Sequence, residues 1–155
     1  VFRGSMGGLE GADAFCQGEA EEAGLTGIYR AWLSNPTEGP SSRFIHARSG
    51  YRLVNGKQVA ADWEDLTDGN LRHAVNVTAM GLLMKTRPVW TNTNPDGTPT
   101  NKSSEPREAP CDRWASEARG LFGATGSSHA TDGGWTSARL RLSCNVPAVL
   151  YCFQQ

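Results

Sequence analysis

Four widely separated cysteines constrain the fold of this 155-residue chain more than any other feature. No two of them form a CxxC pair, whereas structural zinc sites usually take two ligands from one tight turn. An even number of cysteines in a chain with 18 glycines and 5 tryptophans favours two disulfides over a metal site or reactive thiols. Disulfides persist in oxidising compartments, which predicts a secreted, periplasmic or cell-surface protein. The cysteines are Cys16, Cys111, Cys144 and Cys152, and three pairings are open to them.

The residues around the first and last cysteines indicate how the two ends of the chain meet. Cys16 lies in GADAFCQGEAEEAGL, where alanines recur at helical spacing and Gly24 is typical of a helix C-terminus, so Cys16 is expected to face the core. The ending VLYCFQQ alternates, which predicts an inner strand buried on both faces and carrying Cys152. A helix packed on this strand would bring Cys16 to Cys152 and leave Cys111 with Cys144. This nested pairing is our working hypothesis.

On the chain-entropy account, closing nearly the whole chain with one disulfide stabilises the folded state by about 4–5 kcal/mol. We expect the C-terminal strand to come loose first when the protein is reduced.

Charge and hydropathy exclude two classes of function. Lys and Arg total 15 against 16 Asp and Glu, so the net charge of -1 provides no field that would attract nucleic acid. No apolar run approaches the roughly 20 residues that span a bilayer, and residues 1–8 contain no apolar core of a signal peptide. We expect one soluble globular domain that neither binds nucleic acid nor inserts into a membrane.

Between the terminal elements the chain is made of short segments. IYRAWLS, residues 28–34, predicts a half-buried strand, and Asn55-Gly56 between two apolar runs predicts a hairpin. Asp62 is expected to cap a helical turn in ADWEDLTDG, and PVWTN and VPAVLYC predict further strands. Residues 91–110 form a long polar loop. Early helices followed by scattered strands and loops predict an α+β domain.

Several of these segments resemble one known family over about the whole chain. The most specific are GLEGADAFC with GLTGIYRAWLS, then ADWEDL, then PVWTNTNPDGTPT, followed by Cys111, Trp114, Cys144 and the ending VLYCFQQ. In order and spacing they are similar to the endostatin domain of type XVIII collagen and to bacterial endostatin-like domains of secreted and outer-membrane proteins. The resemblance implies a C-type-lectin-like α+β fold with a twisted mixed sheet, two main helices, long loops and two nested disulfides. It also implies that residues 1–155 are one domain of a larger secreted or surface protein.

The resemblance raises two ligand questions, zinc and heparin. Endostatin binds zinc through an N-terminal histidine cluster and an aspartate, but VFRGSMGG has no histidine and the three histidines of this chain are isolated, so we expect no such site. Endostatin binds heparin through dispersed arginines. The candidates here are Arg43, Arg48, Arg52, Arg139 and Arg141. An ordinary solvated surface is the alternative, because the balanced charge argues against strong, salt-sensitive polyanion binding.

The polar segment TNTNPDGTPTNKSSEP offers the oxygen ligands that calcium or a sugar requires. The candidate ligand-binding residues are Asn92, Asn94, Asp96, Asn101 and Glu105, and those for calcium are Asn92, Asn94, Asp96 and Glu105. Sugar-binding C-type lectins have a Glu-Pro-Asn loop, whereas this chain has Glu105-Pro106-Arg107. Asn and Asp beside Pro and Gly are also ordinary turn formers, and that structural role is the alternative.

A catalytic function has little support in the sequence. GSSHATD places Ser128, His129 and Asp132 close together, but catalytic triads assemble in space and no GxSxG elbow occurs. GLFGATGSS lacks the lysine of a phosphate-binding loop. We expect no enzymatic activity.

The sequence therefore predicts a non-catalytic extracellular binding or adhesion module that requires no cofactor. Its expected partners are an extracellular matrix protein or a glycan such as a heparin-like polymer. The alternative is a calcium-dependent carbohydrate-binding lectin module that is accessory to a secreted enzyme.

Overall fold

The computed structural model describes residues 1–105 and 107–155, so Pro106 of the Glu105-Pro106-Arg107 segment lies outside the described residues. Within those ranges the chain is mixed α+β, as predicted. The helices are α1 (Gly8–Glu22), α2 (Pro40–Arg43), α3 (Trp63–Thr67) and α4 (Cys111–Trp114), with a 3₁₀ turn at Gly133–Trp135. The strands are β1 (Tyr29–Ala31), β2 (Tyr51–Arg52), β3 (Gln58–Ala60), β4 (Pro88–Trp90), β5 (Phe122–Ser127), β6 (Leu140–Ser143) and β7 (Cys152–Gln154). The prediction of two main helices is wrong, because α1 is 15 residues long and α2, α3 and α4 each form about one turn.

The strands form three small sheets instead of one mixed sheet. β1 pairs with β7, β2 pairs with β3, and a third sheet has the order β4-β5-β6. Each of these pairings is antiparallel, and the parallel contact in the described residues is a single bridge between Val89 and Val149. The strands are only 2 to 6 residues long, so each ladder ends before it can join its neighbours into one wide sheet.

Helix α1 follows the predicted pattern. Gly7 precedes it with φ 79°, and Gly24 follows its last turn with φ 70°, a left-handed conformation in which glycine is favoured. Cys16 is buried together with Leu9, Ala12 and Ala20, which confirms that this face of the helix packs against the core.

Both disulfides form in the predicted nested arrangement. Cys16 bonds to Cys152 across 136 residues, and Cys111 bonds to Cys144 across 33 residues. We call these the outer and the inner disulfide. The prediction that the last strand is buried on both faces is wrong: Phe153 is buried, whereas Cys152 and Gln154, which alternate to the other face, are exposed.

Two short-range predictions are confirmed in detail. The Asp62 side chain accepts a hydrogen bond from the backbone N–H of Asp65 at 2.8 Å and so caps α3. The hairpin between β2 and β3 turns at Asn55-Gly56, where Gly56 has φ 86°. Both features depend on residues within a few positions of each other.

The core consists of two aromatic clusters. In one, Trp32 lies 4.8 Å from Trp135 between ring centroids. In the other, Trp90 and Trp114 pack edge to face at 5.5 Å beside the inner disulfide. Trp114 belongs to α4, a turn of left-handed residues whose φ angles run from 46° to 67°. Its indole N–H donates to the Ser34 carbonyl at 2.8 Å, which holds α4 against the segment that follows β1.

Candidate binding site

Asn92 closes the long polar loop that follows β4. This residue is fully buried with φ 47°, a left-handed conformation that asparagine tolerates better than most residues. Its side-chain amide donates to the carbonyls of Ser34 and Asn101, each at 3.3 Å, and its oxygen accepts from the Asn101 backbone N–H at 3.2 Å. Asn92 therefore binds the two ends of the loop segment 92–101 together.

Two of the other predicted calcium ligands, Asn94 and Asp96, also make bonds within the loop. The Asn94 amide donates to the Thr98 hydroxyl and the Pro99 carbonyl, both at 3.2 Å. One oxygen of Asp96 accepts from the backbone N–H and the hydroxyl of Thr98 at 2.9 and 2.7 Å, and Glu105 is exposed. No group of three or more His, Cys, Asp or Glu side chains within residues 1–105 and 107–155 lies close enough to hold a metal. Calcium binding stays a prediction.

A cavity of about 710 Å³ lies between this loop and strands β5 and β6. It is lined by residues from both groups that the sequence analysis singled out, namely Asn92 and Asn101 from the loop and Arg139 and Arg141 from the segment of β6. Sequence reasoning treated these groups separately, because nothing in the local patterns places residue 101 beside residue 141. The fold makes them one site.

The cavity also contains residues that the sequence analysis missed. They are Arg107, Glu108, Phe122 and several small polar residues, including Thr100 and Ser137. Arg107 follows the polar segment directly, but a single arginine in a loop carries no periodic signal, so only its place in the fold identifies it. Phe122 is 41% exposed, unusually open for a large aromatic side chain.

Electrostatics at the cavity favour an anion. Among the described residues, none of Arg107, Arg139 and Arg141 forms an ion pair. Glu108 is the acidic residue in the lining, and its carboxylate accepts a hydrogen bond from the Ser103 hydroxyl at 2.7 Å. The lining thus contains three guanidinium groups and one carboxylate, and the planar donors of arginine match carboxylate and sulfate geometry well.

Two features set the positions of Arg141 on β6 and of Arg139 just before it. The Arg141 guanidinium carbon lies 5.9 Å from the centre of the Phe122 ring, a cation–π contact that orients the side chain along the cavity wall. Arg139 has φ 55°, a left-handed conformation that costs a non-glycine residue on the order of 1 kcal/mol. The chain therefore bends just before β6 begins, and both arginines line the same cavity.

The remaining predicted arginines lie elsewhere. Arg43 pairs with Asp13 at 2.5 Å with a side chain only 11% exposed, so this ion pair joins α1 to the last residue of α2. Arg52 donates to the Gly56 carbonyl at 3.2 Å and lines a second, more apolar groove, and the exposed Arg48 lines neither cavity. The five arginines do not form one patch.

The Ser-His-Asp cluster has a structural arrangement. The Ser128 hydroxyl is fully buried and accepts a hydrogen bond from the Arg87 backbone N–H at 2.9 Å, although it lies 3.2 Å from Nδ1 of His129. Asp132 accepts from the Gly134 backbone N–H at 2.9 Å and caps the 3₁₀ turn. The carboxylate is thus used as a helix cap, and the buried serine is closed to a substrate.

Two groups outside the cavity have shifted pKa values, the Asp65 carboxyl and the Tyr151 hydroxyl. The Ala61 backbone N–H donates to the Asp65 carboxylate at 2.6 Å and lowers the pKa of this group, and the nearby Arg72 guanidinium, at 3.0 Å, lowers it further. Burial raises the pKa of the Tyr151 hydroxyl, which donates to two backbone carbonyls in the core. Both groups stabilise the fold.

Comparison with known proteins relates the chain to a collagen. No protein-family model matches the chain. The chain is similar to the collagen alpha-1(XVIII) chain of Homo sapiens, with 28% identity over 164 aligned residues that cover 97% of this chain. The match spans 9% of the length of that relative. It supports the endostatin-like relationship inferred from the sequence motifs. None of the helices in the described ranges has the length and hydropathy needed to cross a membrane.

Proposed function

We propose that this chain is a non-catalytic extracellular binding module that recognises a matrix-type protein or a glycan. The observation that carries the proposal is the cavity lined by Arg107, Arg139 and Arg141, whose charges are not neutralised by ion pairs within the described residues. The two disulfides and the similarity to a collagen chain support a secreted or cell-surface location and a C-type-lectin-like fold.

The shape of the cavity supports binding as its role. Its volume of about 710 Å³ lies in the range of sites that hold small ligands or a few protruding groups of a larger partner. The lining combines arginines with amide and hydroxyl groups, and it includes one exposed aromatic ring at Phe122. Such a mixture can bind an anionic group and orient the polar groups around it.

A calcium-dependent carbohydrate-binding module, accessory to a secreted enzyme, is the second proposal. The observation that favours it is that Asn101, one of the predicted polar ligands, lines this cavity, whereas the Asn92 side chain is already bonded to Ser34 and Asn101. In this case binding requires calcium, because hard cations bridge protein oxygens and sugar hydroxyls.

An array of glycans and matrix proteins tests both proposals when it is run with calcium, with a chelator and at two salt concentrations. Arg139→Glu/Arg141→Glu is expected to weaken binding about tenfold or more, since each opposite-charge contact becomes a repulsion. Arg48→Glu/Arg52→Glu is the matched control, because it changes the net charge equally outside the cavity and should leave binding within about twofold.

Three results would contradict these proposals. Absence of binding to any ligand on the array would count against a binding module. Equal losses in the two arginine variants would show that overall charge, and not the cavity, controls binding. Abolition of a reproducible hydrolysis by Ser128→Ala or His129→Ala would show that the module is catalytic.

A further inference from the structure

Strand β6 is an open edge of the three-stranded sheet. It is the last strand in the order β4-β5-β6, and within residues 1–105 and 107–155 no other strand or isolated bridge pairs with it. Leu140 at its start is 51% exposed. An open edge presents unpaired backbone N–H and C=O groups, which an added strand can bond.

The two faces of this edge differ in chemistry. The register places Arg141 opposite Ala124 and Ser143 opposite Phe122, so the arginine shares the cavity face with the Phe122 ring. Leu142 alternates to the other face and packs against the tryptophan cluster beside the inner disulfide. The cavity thus receives Arg141 from β6 and Arg139 from the residue before it, with Leu140 between them at the rim, while Leu142 lies on the other face.

Charge determines which strand can be added to this edge. A second copy of β6 would bring arginines beside arginines, and like charges on neighbouring strands are destabilising. An added strand that places carboxylates over the cavity would instead meet Arg139 and Arg141, with Arg107 also in the lining. The same arginines therefore oppose self-association and favour an acidic partner.

We propose that β6 accepts an added strand from an extended acidic peptide in which Asp or Glu alternates with apolar residues. Backbone hydrogen bonds to β6 hold the peptide, its carboxylates lie beside Arg139 and Arg141, and its apolar side chains extend the face of Leu142. This inference rests on the proposed binding function and names the chemistry of the protein partner.

The test measures fluorescence anisotropy of a labelled peptide, Glu-Val-Glu-Val-Glu-Val, as the protein is titrated in. A peptide of the same composition with its Glu and Val residues in separate blocks, and one with Lys in place of Glu, are the controls. We expect both controls to bind about tenfold or more weakly, because neither places carboxylates at every second position. Arg139→Gln/Arg141→Gln should weaken binding of the alternating peptide by a similar factor, while tryptophan fluorescence checks that this variant is folded.

N-methylation of the peptide separates strand addition from attraction between charges. Alternate backbone N–H groups of a strand point to opposite edges, so methylating only the Glu amides or only the Val amides blocks one edge each. We expect one of these two methylated peptides to lose binding about tenfold or more and the other to keep it. Equal binding of both would overturn the proposal and leave β6 as a charged surface that suits an acidic glycan.

Failure of this inference is distinguishable from failure of the proposed function. If the cavity arginines are needed for a ligand found on the array, but the alternating peptide does not bind, the strand-addition proposal is wrong and the binding function stands. If neither the array nor the peptide shows binding that depends on Arg139 and Arg141, both proposals are wrong.

Discussion

Replacing Cys16 and Cys152 together by alanine is expected to lower the free energy of unfolding by about 6 kcal/mol. The outer disulfide joins residues 136 positions apart, and the loop-entropy relation for so long a loop gives about 5 kcal/mol. Loss of the buried Cys16 sulfur from its contacts adds about 1 kcal/mol, whereas Cys152 is exposed and adds little. Domains of this kind are stable by about 5–15 kcal/mol, so the variant should be close to unfolding at room temperature.

Urea titration followed by tryptophan fluorescence measures this loss, provided that the dependence on urea concentration shows a single cooperative transition. Cys152→Ala alone is the matched control. It opens the same cross-link but keeps the Cys16 sulfur in the core, so its loss should be about 1 kcal/mol smaller than that of the double variant.

A loss below about 2 kcal/mol in the double variant would refute the reasoning. It would show that the unfolded chain, still closed by the inner disulfide, gains little freedom when the outer one is removed. A single variant as stable as the wild type would show that the cross-link itself contributes nothing.

Three further predictions follow from the same structure. Mild reduction followed by thiol alkylation should label Cys152 and its partner before the inner disulfide, because Cys152 is exposed and both inner sulfurs are fully buried; simultaneous labelling of all four thiols would contradict this order. Asp65→Asn should make the stability of the protein fall less steeply as the pH is lowered. A carboxyl group whose pKa is lowered by folding stabilises the fold above its unfolded pKa of about 3.9, and this contribution is lost as the pH falls through the folded pKa. Thermal unfolding across the acid range measures the effect, and an unchanged acid limb, or the same change in the control Glu64→Gln, would count against it. Asn92→Ala should cost about 2–4 kcal/mol in urea titration and expose the polar loop to proteolysis, because three hydrogen bonds of a buried side chain are lost; Asn94→Ala, at a less buried position, should cost clearly less.

Two predictions that depend on neighbouring residues succeeded, whereas those that depend on distant ones succeeded only in part. The Asp62 cap and the Asn55-Gly56 turn are confirmed, because a cap or turn is decided by hydrogen bonds and φ angles within about four residues. The nested disulfides are confirmed as well, because the helical spacing of the alanines showed that Cys16 faces the core, and a helix packed on the last strand brings Cys16 to Cys152. The prediction that both faces of β7 are buried was wrong, because alternation along a strand does not show whether another element covers its second face.

The sequence by itself determined the disulfide-bonded α+β character, the long first helix, the short-range caps and turns, and the balance of charge. Each of these follows from residue type and local spacing. Tertiary structure alone decided which arginines remain available to bind a ligand. Arg43 approaches Asp13 and is neutralised, whereas Arg139 and Arg141 line one cavity together with Asn101. The reason is that the interaction between two charges depends on their distance and burial in space, and the folding of residues far apart in the chain sets both.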